Sequence, residues 1–440
     1  MNETEIMNIL ADWNFWGNFK VDLKERPIYF SRMEDLFSHK TAMVLFGIRR
    51  AGKSSLAYLF IKKRMEEDKI AAKNILIVNF EDPRFPPTLN TDNLFKIYET
   101  YLKNLEPINP ILVFDEIQNI KNWEKFIRYL IESKKTRVIV TGSSSKLLGK
   151  EISTTLAGRH TDIEIFPFSF KEFLEFKDLH VKDRLDLVKN RIKIARLLEE
   201  YFEWGGFPEV VLSDSAQRKN ELLLRYFDDI IMKDIVRRFG VKEIEKLENL
   251  VNIYISSIST LQSFNKLKDK VNASLDTIER FSKYLEITRI FLFLKKFEYS
   301  VAKQFKSIRK VYVADIGFYE MRGFKFSENY GRVMENIVAI ELSRKCSFNP
   351  KMEFFYWKNH QQAEVDFVVK KGLKVAQLIQ VTSASNFDEV NKRELNSLLA
   401  ASKELKCKNL LLITKDYEDT KRFKGKKIRF LPLWKWLLIP

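Results

Sequence analysis

Residues 47–55 read Gly47-Ile48-Arg49-Arg50-Ala51-Gly52-Lys53-Ser54-Ser55, and this stretch decides the fold of the chain around it. It fits the pattern G-x-x-x-x-G-K-[ST] of the phosphate-binding loop. An apolar run over residues 41–46 predicts a buried strand before the loop, and apolar residues at helical spacing predict a helix over 54–65. A chance glycine-rich turn is the alternative, but the flanking elements favour a nucleotide site.

The chemistry of such a loop assigns a role to each residue of the stretch. Its glycines allow backbone N–H groups to turn towards phosphate oxygens, and the following helix N-terminus adds partial positive charge. We therefore expect residues 47–55 to bind ATP. Lys53 would contact the β and γ phosphates, and the Ser54 hydroxyl would ligate Mg²⁺.

A second motif lies at residues 110–116, Pro-Ile-Leu-Val-Phe-Asp115-Glu116, an apolar strand that ends in two carboxylates. This is the Walker B pattern. Its aspartate holds Mg²⁺, usually through water, because Mg²⁺ keeps part of its hydration shell. The glutamate can polarise the attacking water. A strand followed by an acidic helix start is the alternative, but the upstream loop favours Asp115 as metal ligand and Glu116 as catalytic base.

Composition limits the class of protein and its partners. The 440 residues have room for two to four domains, and a hydrophobic content of 45% can supply real cores. The net charge of +17 predicts a polyanionic partner, with DNA favoured over an acidic protein or a membrane surface. Two distant cysteines and four unclustered histidines predict neither a zinc site nor a disulfide framework. With no signal peptide and no membrane-spanning run evident, we expect a cytoplasmic protein.

Strands and helices alternate through the first part of the chain. Predicted strands over residues 74–80, 137–143 and 160–166 join the two already described, with helices between them. This alternation predicts an α/β core with a mostly parallel sheet, residues 1–166 including an N-terminal extension whose first helix covers 31–38. Because ligands bind at the carboxyl ends of such strands, the ends of these strands should converge on one site.

Three further domains are expected after the core. Residues 167–240 have a helical pattern throughout and predict a lid. Residues 241–324 predict three short helices and a basic strand pair, which is a winged-helix pattern with a recognition helix over 274–285. Winged helices also serve as protein-contact modules, so DNA and protein both stay open as partners. Residues 325–440 predict another α/β domain.

The chain resembles the predicted archaeal and bacterial AAA-type ATPases, related to STAND proteins, over nearly its whole length. The resemblance implies a P-loop AAA-type ATPase core with a parallel sheet, a helical lid, a winged helix and a C-terminal restriction-endonuclease-like domain. It also implies ATP, Mg²⁺ and DNA as ligands. The motifs that carry it are Gly-Ile-Arg-Arg-Ala-Gly-Lys-Ser (47–54), Val-Phe-Asp-Glu-Ile-Gln (113–118), Thr-Gly-Ser-Ser (141–144), Ala-Gly-Arg (157–159), Gly-Gly-Phe-Pro (205–208), Tyr-Val-Ala-Asp (312–315), Gly331-Arg332 with Glu335, and Glu-Val-Asp (364–366).

The resemblance adds further candidates to the ATP site. Thr141, Ser143 and Ser144 stand where a sensor residue would contact the attacking water or the γ-phosphate; a serine-rich helix N-cap is the alternative. Arg159 is the candidate arginine for the γ-phosphate of its own or a neighbouring chain, which would imply a ring or another homo-oligomer; a structural salt bridge is the alternative. Pro208 is the candidate contact to the adenine, with a plain helix–helix turn as the alternative.

The C-terminal domain is expected to hold a degenerate PD-(D/E)xK site. The resemblance places two acids, Glu335 on a helix and Asp366 on a strand, near Gln380, where Mg²⁺ would bind. The E-x-K segment reads Gln380-Val-Thr382, so one carboxylate and the ammonium are missing. We expect DNA binding without robust cleavage, assisted by a basic face at Lys358, Lys370, Lys371 and Lys374.

Three functional hypotheses follow from the sequence. The first is Mg²⁺-dependent ATP hydrolysis coupled to DNA binding or remodelling. The second is a regulatory switch ATPase whose winged helix and C-terminal domain bind protein partners. The third is an ATP-dependent nuclease, which the missing E-x-K residues disfavour.

Overall fold

The computed structural model describes residues 1–39, 41–86, 88–143, 155–322 and 329–438. The chain divides into two compact units, Met1–Phe166 and Pro167–Pro440. The boundary expected between lid and winged helix at residue 240 falls inside the second unit. The boundary expected at residue 324 lies outside the described residues and stays a prediction.

The first unit alternates helices with strands. Its helices are α1 (Glu3–Trp13), α2 (Pro27–Phe37), α3 (Lys53–Glu67), α4 (Thr91–Leu105) and α5 (Trp123–Glu132), with short 3-10 helices at Ala72–Asn74 and Ile117–Asn119. Its strands are β1 (Ala42–Gly47), β2 (Ile75–Asn79), β3 (Ile111–Asp115), β4 (Arg137–Ser143) and β5 (His160–Glu164). The strands overlap those predicted from the sequence.

The five strands form one parallel sheet in the order β2-β3-β4-β1-β5. This parallel sheet confirms the predicted α/β class. In register, Gly47 pairs with Ser143, and Asn79 pairs with Asp115. The phosphate-binding loop, the Walker B carboxylates and the end of β4 therefore lie together at the carboxyl ends of the strands.

The N-terminal extension covers the open edge of this sheet. Asn14 at the end of α1 is buried, and its amide accepts a bond from the N–H of Ile77 and donates one to the carbonyl of Ile77, both 2.7 Å long. Trp16 Nε1 also donates to the Ile75 carbonyl at 3.1 Å. These contacts satisfy backbone groups that an edge strand would leave exposed.

The prediction that the first helix covers residues 31–38 is wrong. An earlier helix, α1, begins after Asn2, whose side chain and that of Glu5 cap each other's backbone N–H groups. The second helix also begins before the predicted start, because Pro27 occupies its first turn, where a missing N–H costs nothing.

The second unit begins with helices and ends with two sheets. Its helices are α6 (Phe170–Phe176), α7 (Arg184–Lys189), α8 (Arg191–Trp204), α9 (Pro208–Leu212), α10 (Ala216–Asp229), a π-helical turn (Ile230–Arg237), α11 (Ile244–Ser256), α12 (Phe264–Val271), α13 (Leu275–Ile287), α14 (Val301–Lys306), α15 (Ile316–Arg322), α16 (Tyr330–Phe348), α17 (Lys392–Glu404) and α18 (Leu433–Leu438). Its strands are β6 (Thr260–Gln262), β7 (Phe291–Leu294), β8 (Arg309–Val313), β9 (Met352–Lys358), β10 (Glu364–Lys371), β11 (Lys374–Val381), β12 (Leu410–Thr414), β13 (Asp419–Phe423) and β14 (Lys426–Pro432).

The two sheets differ in character. Strands β6, β8 and β7 form a three-stranded antiparallel sheet. Helices α11–α13 and the β7–β8 pair overlap the three helices and the strand pair predicted from the sequence, whereas β6 was not predicted. The C-terminal sheet is mixed, in the order β13-β14-β12-β11-β10-β9. Its middle pairs β11–β12 and β12–β14 are parallel, and the flanking pairs are antiparallel. None of the helices in the described ranges combines the length and apolar character needed to cross a bilayer.

Candidate nucleotide-binding and hydrolysis site

The phosphate-binding loop is built around its lysine. Lys53 is 4% exposed, and its Nζ donates to the carbonyls of Ile48 at 3.1 Å and Gly47 at 3.3 Å. Gly52 has φ +89°, a conformation that side-chain-bearing residues rarely adopt. At Gly47, with φ +147°, a Cβ would lie 2.1 Å from the Ile165 carbonyl oxygen. Both glycines are therefore required by the shape of the loop.

Neighbouring residues hold the same loop from outside. Arg26 donates from Nη1 to the carbonyl of Ala51 at 3.0 Å and from Nη2 to the carbonyl of Phe166 at 2.9 Å. Arg49 forms a 3.0 Å ion pair with Glu81. Ile48 and Ala51 are buried, whereas Ser55 is exposed. Of the predicted loop residues, Arg50 and Ser55 are therefore the exposed ones, and Arg49 is half-buried.

Asp115 connects the phosphate-binding loop to the Walker B strand. Its Oδ1 accepts a 2.7 Å bond from the Ser54 hydroxyl, and its Oδ2 accepts a 2.6 Å bond from the Tyr58 hydroxyl. Burial and the nearby Asp115 charge raise the pKa of Tyr58 well above its ordinary value, so this phenol stays protonated and donates. The sequence reasoning missed Tyr58. The signal was its position one helical turn after Ser54, on the same face of α3.

Thr141 bonds to both residues of the Walker B pair. Its hydroxyl donates to Asp115 Oδ1 and accepts the backbone N–H of Glu116 at 3.2 Å. Glu116 itself adopts φ +52°, a left-handed conformation uncommon outside glycine, and its carboxylate accepts a bond from the Gln118 amide. Burial raises the pKa of Glu116, with Lys53 opposing this and Asp115 adding to it. A raised pKa suits a carboxylate that must take up a proton.

The other two predicted sensor residues are Ser143 and Ser144. Ser143 is buried at the end of β4, in register with Gly47. Ser144 lies outside the described residues. Thr141 is therefore the sensor candidate that the described geometry places in contact with the Walker B motif.

Arg159 lies at the opposite end of the strands from the phosphate-binding loop. Its carbonyl accepts the N–H of Ala42, at the beginning of β1, whereas the loop follows the end of β1. Six residues of strand separate the two positions by roughly 17–20 Å. The side chain forms a 2.6 Å ion pair with Glu132 instead. The geometry thus argues against contact with the chain's own γ-phosphate, and contact with a neighbouring chain stays a prediction.

Pro208 begins α9 in the second unit, and its adenine contact stays a prediction. The two preceding glycines have a structural explanation. The N–H of Gly206 donates to Asp315 Oδ2 at 2.8 Å, and a Cβ at Gly205 would lie 1.7 Å from Asp315 Oδ1. The Gly-Gly turn therefore fits closely around the Asp315 carboxylate.

The candidate nuclease residues Glu335, Asp366 and Gln380 lie together in the second unit. Glu335 and Asp366 pair with Lys310, a buried residue of β8 that the sequence reasoning did not select, and the Gln380 amide donates to Asp366. In the predicted basic face, Lys358 pairs with Glu364 at 3.4 Å and Lys370 with Glu353 at 2.7 Å. Lys371 and Lys374 are exposed at the β10–β11 turn.

Three protein families match successive parts of the chain. A family described as an AAA domain matches residues 39–174. Two families described as domains of unknown function, DUF8612 and DUF4143, match residues 195–326 and 330–436. An uncharacterized protein of Methanocaldococcus jannaschii, MJ1544, is 36% identical over 407 residues, which cover 90% of this chain and 88% of the relative. This chain belongs to the AAA-type P-loop ATPases.

Other relatives of this ATPase share most of its length. An uncharacterized protein of Haemophilus influenzae is 31% identical over 385 residues, covering 86% of this ATPase and 90% of the relative. Among solved structures, the Walker-type ATPase PABY2304 of Pyrococcus abyssi aligns with a TM-score of 0.44 and 16% identity, over 68% of this ATPase and 96% of that chain. The Hsp104–ADP complex of S. cerevisiae aligns with a TM-score of 0.31 and 12% identity, over 61% and 40% of the two chains.

Proposed function

We propose that this ATPase hydrolyses ATP with Mg²⁺ and couples turnover to binding of DNA. The observation that carries the hydrolytic part is the hydrogen-bonded set of Ser54, Asp115, Thr141 and Glu116. The donor set fits Mg²⁺, since a hydroxyl and a carboxylate oxygen lie 2.7 Å apart at Ser54 and Asp115. Mg²⁺ prefers hard oxygen ligands of this kind and fills the remaining positions with water and phosphate.

Each residue of the set has a distinct task. Lys53 and the loop N–H groups bind the β and γ phosphates, and Ser54 and Asp115 would hold Mg²⁺, which offsets negative charge on the phosphates. Glu116 orients the attacking water and takes up its proton. Thr141 fixes the positions of Asp115 and Glu116 relative to each other, because one hydroxyl bonds to both residues.

DNA is supported as the partner by charge. Residues 295–309 run from the end of β7 to the first residue of β8 and carry five basic residues against one acidic residue. Two of them, Lys303 and Lys306, are exposed beside Tyr299 and Phe305, whose exposed fractions are 79% and 61%. Exposed aromatic rings between basic side chains suit stacking on unpaired bases and contact with phosphates. We call residues 295–309 the basic segment.

The predicted recognition helix is less suitable than the basic segment. Helix α13 carries three acidic residues, Asp276, Glu279 and Glu286, against the two basic residues Arg280 and Lys283. Lys283 is also paired with Glu286 at 2.8 Å. We therefore place the proposed DNA contact on the basic segment and not on α13.

Gel-shift and ATPase assays test this proposal together. We expect single-stranded DNA to bind and to stimulate turnover, and we expect both effects to weaken as salt rises. Lys303→Glu combined with Lys306→Glu should reduce DNA binding strongly. Lys193→Glu, an exposed lysine on α8, is the control for a general loss of positive charge. Unchanged turnover with single-stranded, duplex and branched DNA would favour a regulatory switch with a protein partner.

A further inference from the structure

A buried lysine stands at the centre of the carboxylate cluster in the second unit. Lys310 on β8 is 2% exposed. Its Nζ lies 2.8 Å from Glu335 Oε1, 2.9 Å from Glu364 Oε1 and 2.8 Å from Asp366 Oδ1. Glu335 comes from α16 and the other two carboxylates come from β10, so three acidic oxygens converge on one ammonium group.

The remaining polar atoms of the cluster are almost fully bonded. Tyr312 donates to Glu335 Oε1 at 2.7 Å. Asp366 Oδ2 accepts both the Gln380 amide at 2.8 Å and the Val381 N–H at 3.0 Å. Two buried atoms near Asp366 are exceptions: in the described part of the chain, Gln380 Oε1 and Glu394 Oε2 have no hydrogen-bond partner. Gln380 stands where a restriction-endonuclease-like site has its second strand carboxylate.

This arrangement does not fit the divalent metal that the nuclease resemblance implies. A metal ion would need these oxygens at about 2.0–2.6 Å, and the ammonium of Lys310 already lies at the point where they meet. Among the residues that the structure describes, no group of three or more His, Cys, Asp or Glu side chains is arranged to hold a metal. Burial alone lowers the pKa of Lys310, but Asp366, Glu335 and Glu364 outweigh it, so the ammonium stays charged.

We propose that the ammonium of Lys310 takes the place of the metal cation in this carboxylate centre. The C-terminal domain then holds a cation supplied by the protein itself. The centre stabilises the domain and does not catalyse metal-dependent cleavage. Within the described part of the chain, no second buried lysine contacts these carboxylates.

Two lysines compensate the carboxylates of the cluster. Lys310 pairs with Glu335, Glu364 and Asp366, and Lys358 pairs with Glu364 at 3.4 Å. A divalent cation added to this set would be repelled by the buried ammonium. Loss of Lys310 would leave the buried carboxylates with a net negative charge, which is costly unless a cation enters.

The position of Lys310 explains what the centre stabilises. It belongs to the central strand of the three-stranded sheet, whereas its partners belong to α16 and the C-terminal sheet. Other bonds tie the same elements together. The Asn336 amide exchanges two 2.9 Å bonds with the backbone of Val313, and the Phe297 N–H donates to the Tyr356 carbonyl at 2.6 Å. The ion cluster therefore fastens β8 to the C-terminal sheet from within.

Calcium binding to the nucleotide-free full-length chain tests the proposal. Ca²⁺ is the suitable probe, because its ligand distances of about 2.3–2.6 Å require the smallest movement of oxygens now at 2.8–2.9 Å. By isothermal titration, the wild-type chain and Asp366→Asn should bind equal amounts of Ca²⁺. Loss of one bound Ca²⁺ in Asp366→Asn would show that the native centre holds metal and would overturn the proposal.

Lys310→Met tests the same point in the opposite direction. This variant keeps the bulk of the side chain and removes its charge, so it should gain one Ca²⁺ per chain and show a higher unfolding temperature when Ca²⁺ is added. Both gains should vanish in Lys310→Met combined with Asp366→Asn. A folded Lys310→Met chain that gains no Ca²⁺ would contradict the proposal. If Lys310→Met does not fold, the wild-type and Asp366→Asn titrations still decide.

Discussion

The backbone N–H of Gly206 donates a 2.8 Å hydrogen bond to Oδ2 of Asp315, a residue 109 positions later in the chain. The other carboxylate oxygen accepts the N–H of Gly317 at 3.0 Å. Two motifs that the sequence shows separately, Gly-Gly-Phe-Pro and Tyr-Val-Ala-Asp, are therefore two sides of one buried contact. It joins the turn between α8 and α9 to the start of α15.

Gly205→Ala should destabilise the second unit severely. A Cβ at this position would lie 1.7 Å from Asp315 Oδ1, and the backbone has φ +70°. With ψ −156° as well, this conformation is essentially restricted to glycine and costs an alanine about 1–3 kcal/mol, and the collision should raise the total to about 4 kcal/mol or prevent folding. Chemical unfolding measures the difference.

Gly240→Ala is the matched control for Gly205→Ala. Gly240 has φ +61°, but a Cβ there would meet no atom within 4 Å. It should therefore cost about 1 kcal/mol, the conformational part only. Equal losses of stability in the two variants would show that the contact with Asp315 does not constrain Gly205.

Burial of Asp315 should make stability depend on pH. Burial raises the pKa of this carboxyl to about 6, against an ordinary value of 3.8, although the Gly206 and Gly317 N–H groups oppose the shift. The folded state thus binds the proton more tightly than the unfolded state. This contribution to the free energy of unfolding is fully present below pH 4 and is lost as pH rises through 6, a change of about 3 kcal/mol.

The test compares the unfolding free energies of the wild-type chain and Asp315→Asn between pH 4.5 and pH 7.5. Asparagine does not titrate, so the difference in slope between the two curves isolates Asp315 from other buried carboxyls. We expect wild-type stability to fall more steeply with rising pH. Parallel curves would mean that Asp315 has the same pKa in both states.

Thr141 should act as a positioning residue for hydrolysis. Thr141→Val keeps the shape and removes the hydroxyl that bonds to Asp115 and the Glu116 backbone. We expect ATP turnover to fall about tenfold to a hundredfold, the range for residues that orient catalytic ligands, with a smaller change in ATP affinity. Thr141→Ser should recover most of the turnover, because it restores the hydroxyl. A Ser variant as slow as the Val variant would exclude hydrogen bonding as the cause.

Variants of Arg159 and Glu132 distinguish a structural ion pair from a contact between chains. If Arg159 only pairs with Glu132, Arg159→Ala and Glu132→Ala should have the same small effect on turnover. If Arg159 reaches a neighbouring chain's phosphate, only Arg159→Ala should abolish turnover. Turnover per chain should then rise with protein concentration, and mixing Arg159→Ala with Lys53→Ala chains should restore activity. A concentration-independent rate from a monomer would exclude the contact.

The sequence predicted the P-loop fold well because the motifs that specify it are local. The strand, loop and helix around residues 42–67 lie next to one another in the chain, and Asp115 ends a strand whose position in a parallel sheet follows from general rules. Tyr58 escaped notice because no motif includes it, and its role appears only when α3 lies beside β3.

The second unit was harder to predict because its key contacts join distant segments. Lys310 precedes Asp366 by 56 residues and stands in an otherwise buried apolar strand, Lys310–Val313, with nothing in its own neighbourhood to explain a charge. A charged residue in an apolar strand was the signal in the sequence that could have identified Lys310. At Gln380 the sequence alone showed a missing carboxylate and gave no sign of the lysine that lies among Glu335, Glu364 and Asp366.

The most direct test of ATP hydrolysis at this site is to measure both the rate of ATP turnover and the affinity for ATP in Glu116→Gln. The substitution removes the proton acceptor and keeps the side-chain shape, so ATP and Mg²⁺ should still bind while hydrolysis falls by about 10² to 10⁴. Lys53→Ala, which removes the cation beside the phosphates, should instead lose ATP binding itself. Normal turnover in Glu116→Gln would contradict the proposed base and the Walker B geometry on which it depends.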